Sequence, residues 1–245
     1  MNMGKTFAAG SVADPVYLNV PGYLLGDAQV NGEYVAYAAK YVSAVSNNIN
    51  VGIMTWSQAR KVVTDVINIS ADYNGTAFLD VLCALPICEY SLGQQRPEAN
   101  VIAALRNSGG SSAYVPTTSI MSLTDEFVPQ IGGQSASGYI LDARNVGVAN
   151  VWLQNICAGQ LGGGAYTHSG VMASNLAYQQ ALDALTNPGP GEVSRLDLAS
   201  ACGCAVIPGM SISDVVNTEN TSPVAFYNIF THQAEPSEPP IKSYA

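Results

Sequence analysis

Charge is scarce in this sequence. Only 11% of its 245 residues are Asp, Glu, Lys or Arg, and the net charge is −9 with nine Lys plus Arg. The basic residues are scattered except for Arg60-Lys61, so no basic stripe exists to engage a phosphate backbone, which argues against nucleic acid as a partner. Long apolar runs are also missing. No stretch approaches the roughly 18 apolar residues of a transmembrane helix. Met1 to Val16 carries one Lys and only a weak apolar run at Phe7-Ala8-Ala9, which makes no convincing signal peptide. There are just two histidines, neither at ligand spacing from a cysteine, and Cys202-x-Cys204 has no second pair, so no metal site is expected. Gly162-Gly-Gly164 is followed by no Lys-Ser/Thr, and no cofactor motif is present, so the expected cofactor list is empty.

What remains is an apolar, weakly charged chain. Nearly half its residues are apolar, at 48%, and this excludes a disordered polymer. The length suits one large α/β domain with a sizeable core better than two small ones. Five cysteines, an odd count, leave at least one thiol unpaired within the chain. On the premise of an oxidising compartment, one disulfide is expected, from Cys157 to Cys202 or Cys204. The acidic, Gly- and Ser/Thr/Asn-rich composition fits a secreted protein. Asn68-Ile-Ser70, Asn74-Gly-Thr76 and Asn220-Thr-Ser222 are glycosylation sequons in that setting, although the first two fall in segments expected to be partly buried.

Hydrophobic spacing outlines the elements. Residues 15–20 look like a short buried strand. Over Asp27 to Ser46 the residues Tyr34, Ala38, Tyr41, Val42 and Val45 share one helical face, and Asn47-Asn48 ends the helix. Val51 to Trp56 has strand length. Val62 to Ile69 fits either a strand or a helical stripe. Residues 97–107 read as a helix opened by Pro97 and closed by Gly109-Gly110. Tyr114 to Leu123 and Val146 to Ile156 read as extended, and Ser169 to Leu185 as a helix stopped by Asn187-Pro188-Gly189. Strands alternating with helices imply a parallel sheet covered by helices. Pro208 to Thr231 is weakly patterned and Gln233 to Ala245 reads as a proline-rich tail. The expected division is therefore an α/β domain over 1–207 and a C-terminal extension over 208–245.

One constellation carries chemistry. The apolar run Val51 to Trp56 leads into Ser57, the extended run from Val115 leads into Asp125, and the glycine-rich loop at 162–164 leads into His168. A serine after a strand, an acid after a later strand and a histidine last is the chain order of an α/β-hydrolase triad. A serine hydroxyl is a weak nucleophile, so His168 would take its proton, and Asp125 would hold the imidazole in the useful tautomer. The backbone N–H of Gln58 would be one oxyanion donor. The plain alternatives are a turn serine, an aspartate that caps backbone amides, and His232 in place of His168.

At these residues the chain resembles the fungal lipases of the Candida antarctica lipase B family. The matching runs are Asp27–Tyr34, Thr55-Trp-Ser-Gln58, Ala71–Thr76, Ala104–Gly110 and Val115 to Glu126, with His168-Ser-Gly in register, within about residues 20 to 205. The resemblance implies an α/β-hydrolase-like fold, mostly parallel with helices on both faces, and a secreted, disulfide-bonded lipase or carboxylesterase. Its substrate would be an ester or acylglycerol met at a lipid–water interface. Ser57, Asp125 and His168 fall on the triad positions, Gln58 on an oxyanion position, Trp56 on a pocket tryptophan, and Asp72 and Gln95 on polar residues flanking the acyl side.

Two parts of that family pattern have no counterpart here. Only Met1 to Asp14 precede the matched region, without the Gly/Thr-rich loop that supplies further oxyanion donors. Ser57 to Lys61 also passes almost directly into the segment matching the next strand, whereas a parallel crossover usually takes a dozen or more residues. Ala59 stands where a glycine is usual. The expectation is that Gln58 to Ile67 turns helical at the expense of the strand, or that the nucleophile turn is remodelled. A non-catalytic or truncated homologue is thus the alternative to an active hydrolase.

Overall fold

The computed structural model describes residues 2–57, 65–232 and 237–244. In chain order, helix α1 (Asn2–Ala9) and helix α2 (Ala28–Val45) precede strand β1 (Gly52–Trp56) and strand β2 (Asp65–Ile69). Helices α3 (Phe78–Cys83), α4 (Tyr90–Gln94) and α5 (Asn100–Asn107) lead to strand β3 (Thr117–Met121), then strand β4 (Val148–Trp152) and helix α6 (Leu153–Ile156). Helices α7 (Asn175–Thr186), α8 (Leu198–Gly203), α9 (Ile212–Glu219) and α10 (Thr221–Thr231) complete the set.

The four strands form one parallel sheet in the order β1-β2-β3-β4. This is the expected α/β architecture. Ile67, Ile69 and Ile120 point to one face and pack with Leu176, Ala177 and Ala181 of α7 and with Met3 and Phe7 of α1. Phe7 stacks on Tyr178 at 5.0 Å, so the weak apolar run near the start is a core anchor. The opposite face, carrying Val66, Asn68 and Thr117, looks toward α2 and α5.

Several expectations need correction. Residues 15–20 form no strand, and Val16, Tyr17 and Leu18 lie exposed, because a short apolar run needs a partner ladder to satisfy its backbone. α2 forms where expected, with Asp27 accepting from the Gln29 amide as its N-cap. Its aromatic stripe is nevertheless uncovered: Tyr34, Tyr41 and Val45 are exposed, and the buried residues are Ala28, Gln29 and Asn31 in the first turn.

The strand following the nucleophile position survives. β2 runs parallel to β1 in the register Gly52↔Asp65 to Trp56↔Ile69, although only residues 57–64 connect the two. The feared exchange of strand for helix therefore does not reach Asp65–Ile69. Eight residues fully extended reach roughly 26–29 Å, enough to return along a five-residue strand. The expected loss assumed that a return requires a helix.

α5 begins at Asn100 rather than Pro97, which sits in the preceding turn. Gly109, at φ +80°, supplies the left-handed backbone just past its end. β4 is shorter than Val146 to Ile156 because the chain turns helical at Leu153. α7 starts only at Asn175, where Ser174 caps the Ala177 amide. The weakly patterned 208–231 segment folds into α9 and α10. The described part of the tail is anchored rather than loose. Glu238 accepts from the backbone N–H groups of Asn100 and Val101 at the start of α5, and Lys242 pairs with Glu33 on α2 at 2.6 Å.

Cys157 and Cys202 form the expected disulfide. A second one, Cys83–Cys88, was not foreseen, and Cys204 is free and exposed. Asn68 is buried in β2, as suspected of that sequon, and cannot present its amide to a glycan. Among the described residues no helix is long and apolar enough to cross a membrane.

Candidate active site

Three strand ends converge on the site. Ser57 follows β1 in a left-handed backbone conformation, φ +65°, with its N–H donated to the Ile69 carbonyl at 3.0 Å. Beyond β3, Ser122 and Thr124 donate their hydroxyls to the Tyr166 carbonyl at 2.8 and 3.0 Å, and the Tyr166 N–H returns to Thr124 Oγ1 at 2.9 Å. Those bonds lash the loop bearing Asp125 to the loop bearing His168.

Asp125 and His168 meet. The His168 Nδ1 lies 3.0 and 2.9 Å from the two carboxylate oxygens of Asp125. The side chains are 5% and 0% exposed respectively. With the carboxylate as acceptor, Nδ1 is the donor, and in the neutral ring that tautomer leaves Nε2 the lone pair that general-base chemistry requires. Asp125 also accepts the Phe127 and Val128 amides at 3.1 and 2.9 Å, so the capping role considered for it coexists with the pairing role.

The imidazole is held from several other sides. Glu126 accepts the His168 backbone N–H at 2.8 Å. Trp56 donates its indole N–H to the His168 carbonyl at 2.8 Å, and its ring lies 4.8 Å from the imidazole. Phe127 meets the imidazole edge-on at 5.7 Å, and Phe226 of α10 packs on Phe127 at 5.2 Å. Next to His168, the hydroxyls of Ser169 and Ser222 are 2.5 Å apart, which ties the histidine loop to the start of α10.

The remaining expected residues are placed as follows. Trp56, between Ser57 and His168, brings the end of β1 against the histidine. Among the described residues no hydrogen bond joins the Ser57 hydroxyl to the imidazole, and Gln58 lies outside the described residues. Asp72 and Gln95 come together on the wall of a cavity of about 450 Å³ on the α2/α5 side of the sheet. Gly75, at φ +73°, allows this: a Cβ there would sit 2.7 Å from the Gln95 carbonyl oxygen. The Gln95 amide donates to the Ser91 carbonyl at 2.8 Å. His232, the rival histidine, is exposed at the end of α10. Sequence reasoning missed Glu126, Phe127, Phe226 and Ser222. Nearness to Asp125 in the chain was a signal for Glu126 and Phe127, and none existed for Ser222 or Phe226. No group of three or more His, Cys, Asp or Glu able to hold a metal occurs among the described residues.

No family model matches the chain. "Lipase B" of Pseudozyma antarctica is 31% identical over 180 residues, covering 67% of this chain and 50% of that protein. The crystal structure of Aspergillus fumigatus lipase B superposes with a TM-score of 0.91 at 41% identity, covering 99% of this chain and 62% of that one. The chain thus spans about half to three-fifths of the length of these relatives. Strand topology, sequence identity and superposition agree, and the chain is a homologue of the fungal lipase B proteins that carries their α/β-hydrolase fold.

Proposed function

We propose that the chain is a serine hydrolase of carboxylic esters, working through an acyl-enzyme. The observation that carries this reading is the buried Asp125–His168 pair, packed by Trp56 against the strand end that precedes Ser57. In the reaction, Ser57 Oγ attacks the ester carbonyl carbon while His168 Nε2 takes its proton. The imidazolium, stabilised by Asp125, returns that proton to the departing alcohol. Water then repeats the sequence on the acyl-serine to release the acid. The Gln58 backbone N–H serves as an oxyanion donor, and Trp56, Asp72 and Gln95 shape the substrate side of the site.

An ester or acylglycerol is the substrate class in this reading. A lipid–water interface is its setting, supported by Val224, Tyr227 and Phe230 exposed along one side of α10. Two disulfides support an extracellular location. Residues 208–245 act as an extension on the 1–207 hydrolase-like domain, with α10 reaching the histidine through Phe226.

A second reading, a non-catalytic homologue, is favoured by one observation: the Ser57 hydroxyl has no hydrogen bond to the imidazole among the described residues. A fluorophosphonate probe separates the two. Stoichiometric labelling that disappears in Ser57→Ala and in His168→Ala supports the hydrolase. Wild-type protein that stays unlabelled while folded supports the inactive homologue.

A further inference from the structure

The segment 237–244 is laid across two helices. Its first contact is the start of α5, where Glu238 accepts the backbone N–H groups of Asn100 and Val101 at 2.9 and 2.8 Å and the Asn100 side-chain amide at 2.8 Å. The positive end of the helix dipole favours a carboxylate there. Pro239 and Pro240 follow, and their fixed φ stiffens the chain. The second contact is on α2. The Gln29 side-chain amide donates to the Pro240 carbonyl at 3.2 Å, and its oxygen accepts the Lys242 backbone N–H at 2.8 Å. Gln29 is 1% exposed, and Asp27 accepts from the same amide nitrogen, so the group that reads this backbone is itself fixed.

One turn further along α2 the attachment changes character. Glu33 lies four residues after Gln29, on the same helix face. It accepts from Lys242 Nζ at 2.6 Å and from the Tyr244 hydroxyl at 2.5 Å. These groups stand at the surface: the Lys242 and Glu33 side chains are 32% and 48% exposed, and Tyr244 is 61% exposed. Water screens such a pair, so it holds weakly. The segment is anchored at buried groups and latched at exposed ones. Gln29, Glu33 and Tyr244 also line the cavity of about 450 Å³ whose wall carries Asp72 and Gln95. The weakly held end therefore forms part of the cavity's rim.

We infer that residues 237–244 are a strap on the rim of the substrate-side cavity, anchored by Glu238 and Gln29 and latched on Glu33 by Lys242 and Tyr244, and that opening the latch determines how bulky an acyl group enters. The strap stands on its contacts alone. Its part in acyl selection rests on Ser57 turning over esters.

A thiol inside the cavity tests the strap without turnover. Val66→Cys places one on β2, where position 66 lines the cavity and is 8% exposed, and the exposed Cys204 serves as an internal reference. Mass spectrometry follows the alkylation of both by N-(1-pyrenyl)maleimide. Adding Lys242→Ala with Tyr244→Ala should speed labelling at position 66 at least tenfold and leave the rate at Cys204 unchanged. Glu238→Ala, which frees the anchor, should do the same. Unchanged labelling at position 66 in both, with circular dichroism matching the Val66→Cys parent, overturns the strap. So does equal acceleration at Cys204, which would mean general loosening. In the chain without Val66→Cys, removing the latch should raise kcat/KM for p-nitrophenyl 4-phenylbutyrate relative to p-nitrophenyl butyrate at least fivefold. An unchanged ratio with faster labelling overturns acyl selection and upholds the strap. Absence of turnover in every protein overturns the hydrolase reading and acyl selection with it, while the labelling rates still decide the strap.

Discussion

Ser57 holds φ at +65°, a conformation that costs an L-residue on the order of 1–3 kcal/mol and that glycine adopts without penalty. That strain presents the hydroxyl at the end of β1, and removing it should be favourable to the fold. Ser57→Gly is expected to raise the denaturation midpoint, with a gain of about 1 kcal/mol, while abolishing fluorophosphonate labelling. A lowered midpoint would show that the hydroxyl itself stabilises the turn. At Asp125 the expectation differs, because the carboxylate serves two masters: the imidazole and the amides of Phe127 and Val128. Asp125→Asn keeps one acceptor oxygen for the amides but disturbs the tautomer of His168. In the hydrolase reading it should cost roughly 10⁴ in kcat, by analogy with the same change in serine proteases, with only a modest drop in melting temperature. Of these contacts, the Asp125–His168 meeting was legible from chain order and local context. Phe226 was not, because its nearness to the site depends on how a weakly patterned segment docks.

Among the elements, α7 and the tail carry the clearest consequences. Burial pushes the Asp183 carboxyl up, but hydrogen bonds from Arg195 and from the Glu192 backbone, with the Arg195 charge, outweigh it and hold it below its ordinary 3.8. A carboxyl depressed in the folded state lends stability above 3.8 that disappears as pH falls through the lower folded value. Thermal melts across this acid range should therefore show a shallower loss in Asp183→Asn than in wild type. Equal slopes would remove Asp183 from the acid response. Glu238→Ala should cost about 1 kcal/mol, since the carboxylate caps the start of α5 as an N-cap side chain would. It should also speed proteolytic cleavage in 237–244. Periodicity found α2 and α7, but it mistook which stripe of α2 would be covered. Amphipathic spacing reports that a helix has an apolar face. It does not report whether the chain supplies anything to lie against Tyr34 and Tyr41.

For the molecule as a whole, the two disulfides divide unequally. The chain-entropy account scales with loop length, so Cys157–Cys202, 45 residues apart, should contribute about 4 kcal/mol and Cys83–Cys88, 5 apart, about 2 kcal/mol. Denaturant titrations of Cys157→Ser and Cys83→Ser should rank in that order, and the reverse ranking would mean that strain or packing governs instead. The parallel sheet was legible from extended runs alternating with helical ones, but its strand order was not, and β2 fitted a strand and a helical stripe equally well. The brevity of the connection between β1 and β2 was legible too, but the survival of β2 was not, since a helical crossover is an average habit of parallel strands and not a requirement.

Among the described residues β1 pairs only with β2, and its five residues Gly52–Trp56 carry no charge. Such an uncapped ribbon margin is a template for another chain's backbone. At high protein concentration the molecule should stack edge to edge, visible as light scattering that grows with time. A lysine at the exposed Met54 is the smallest change that would keep copies apart.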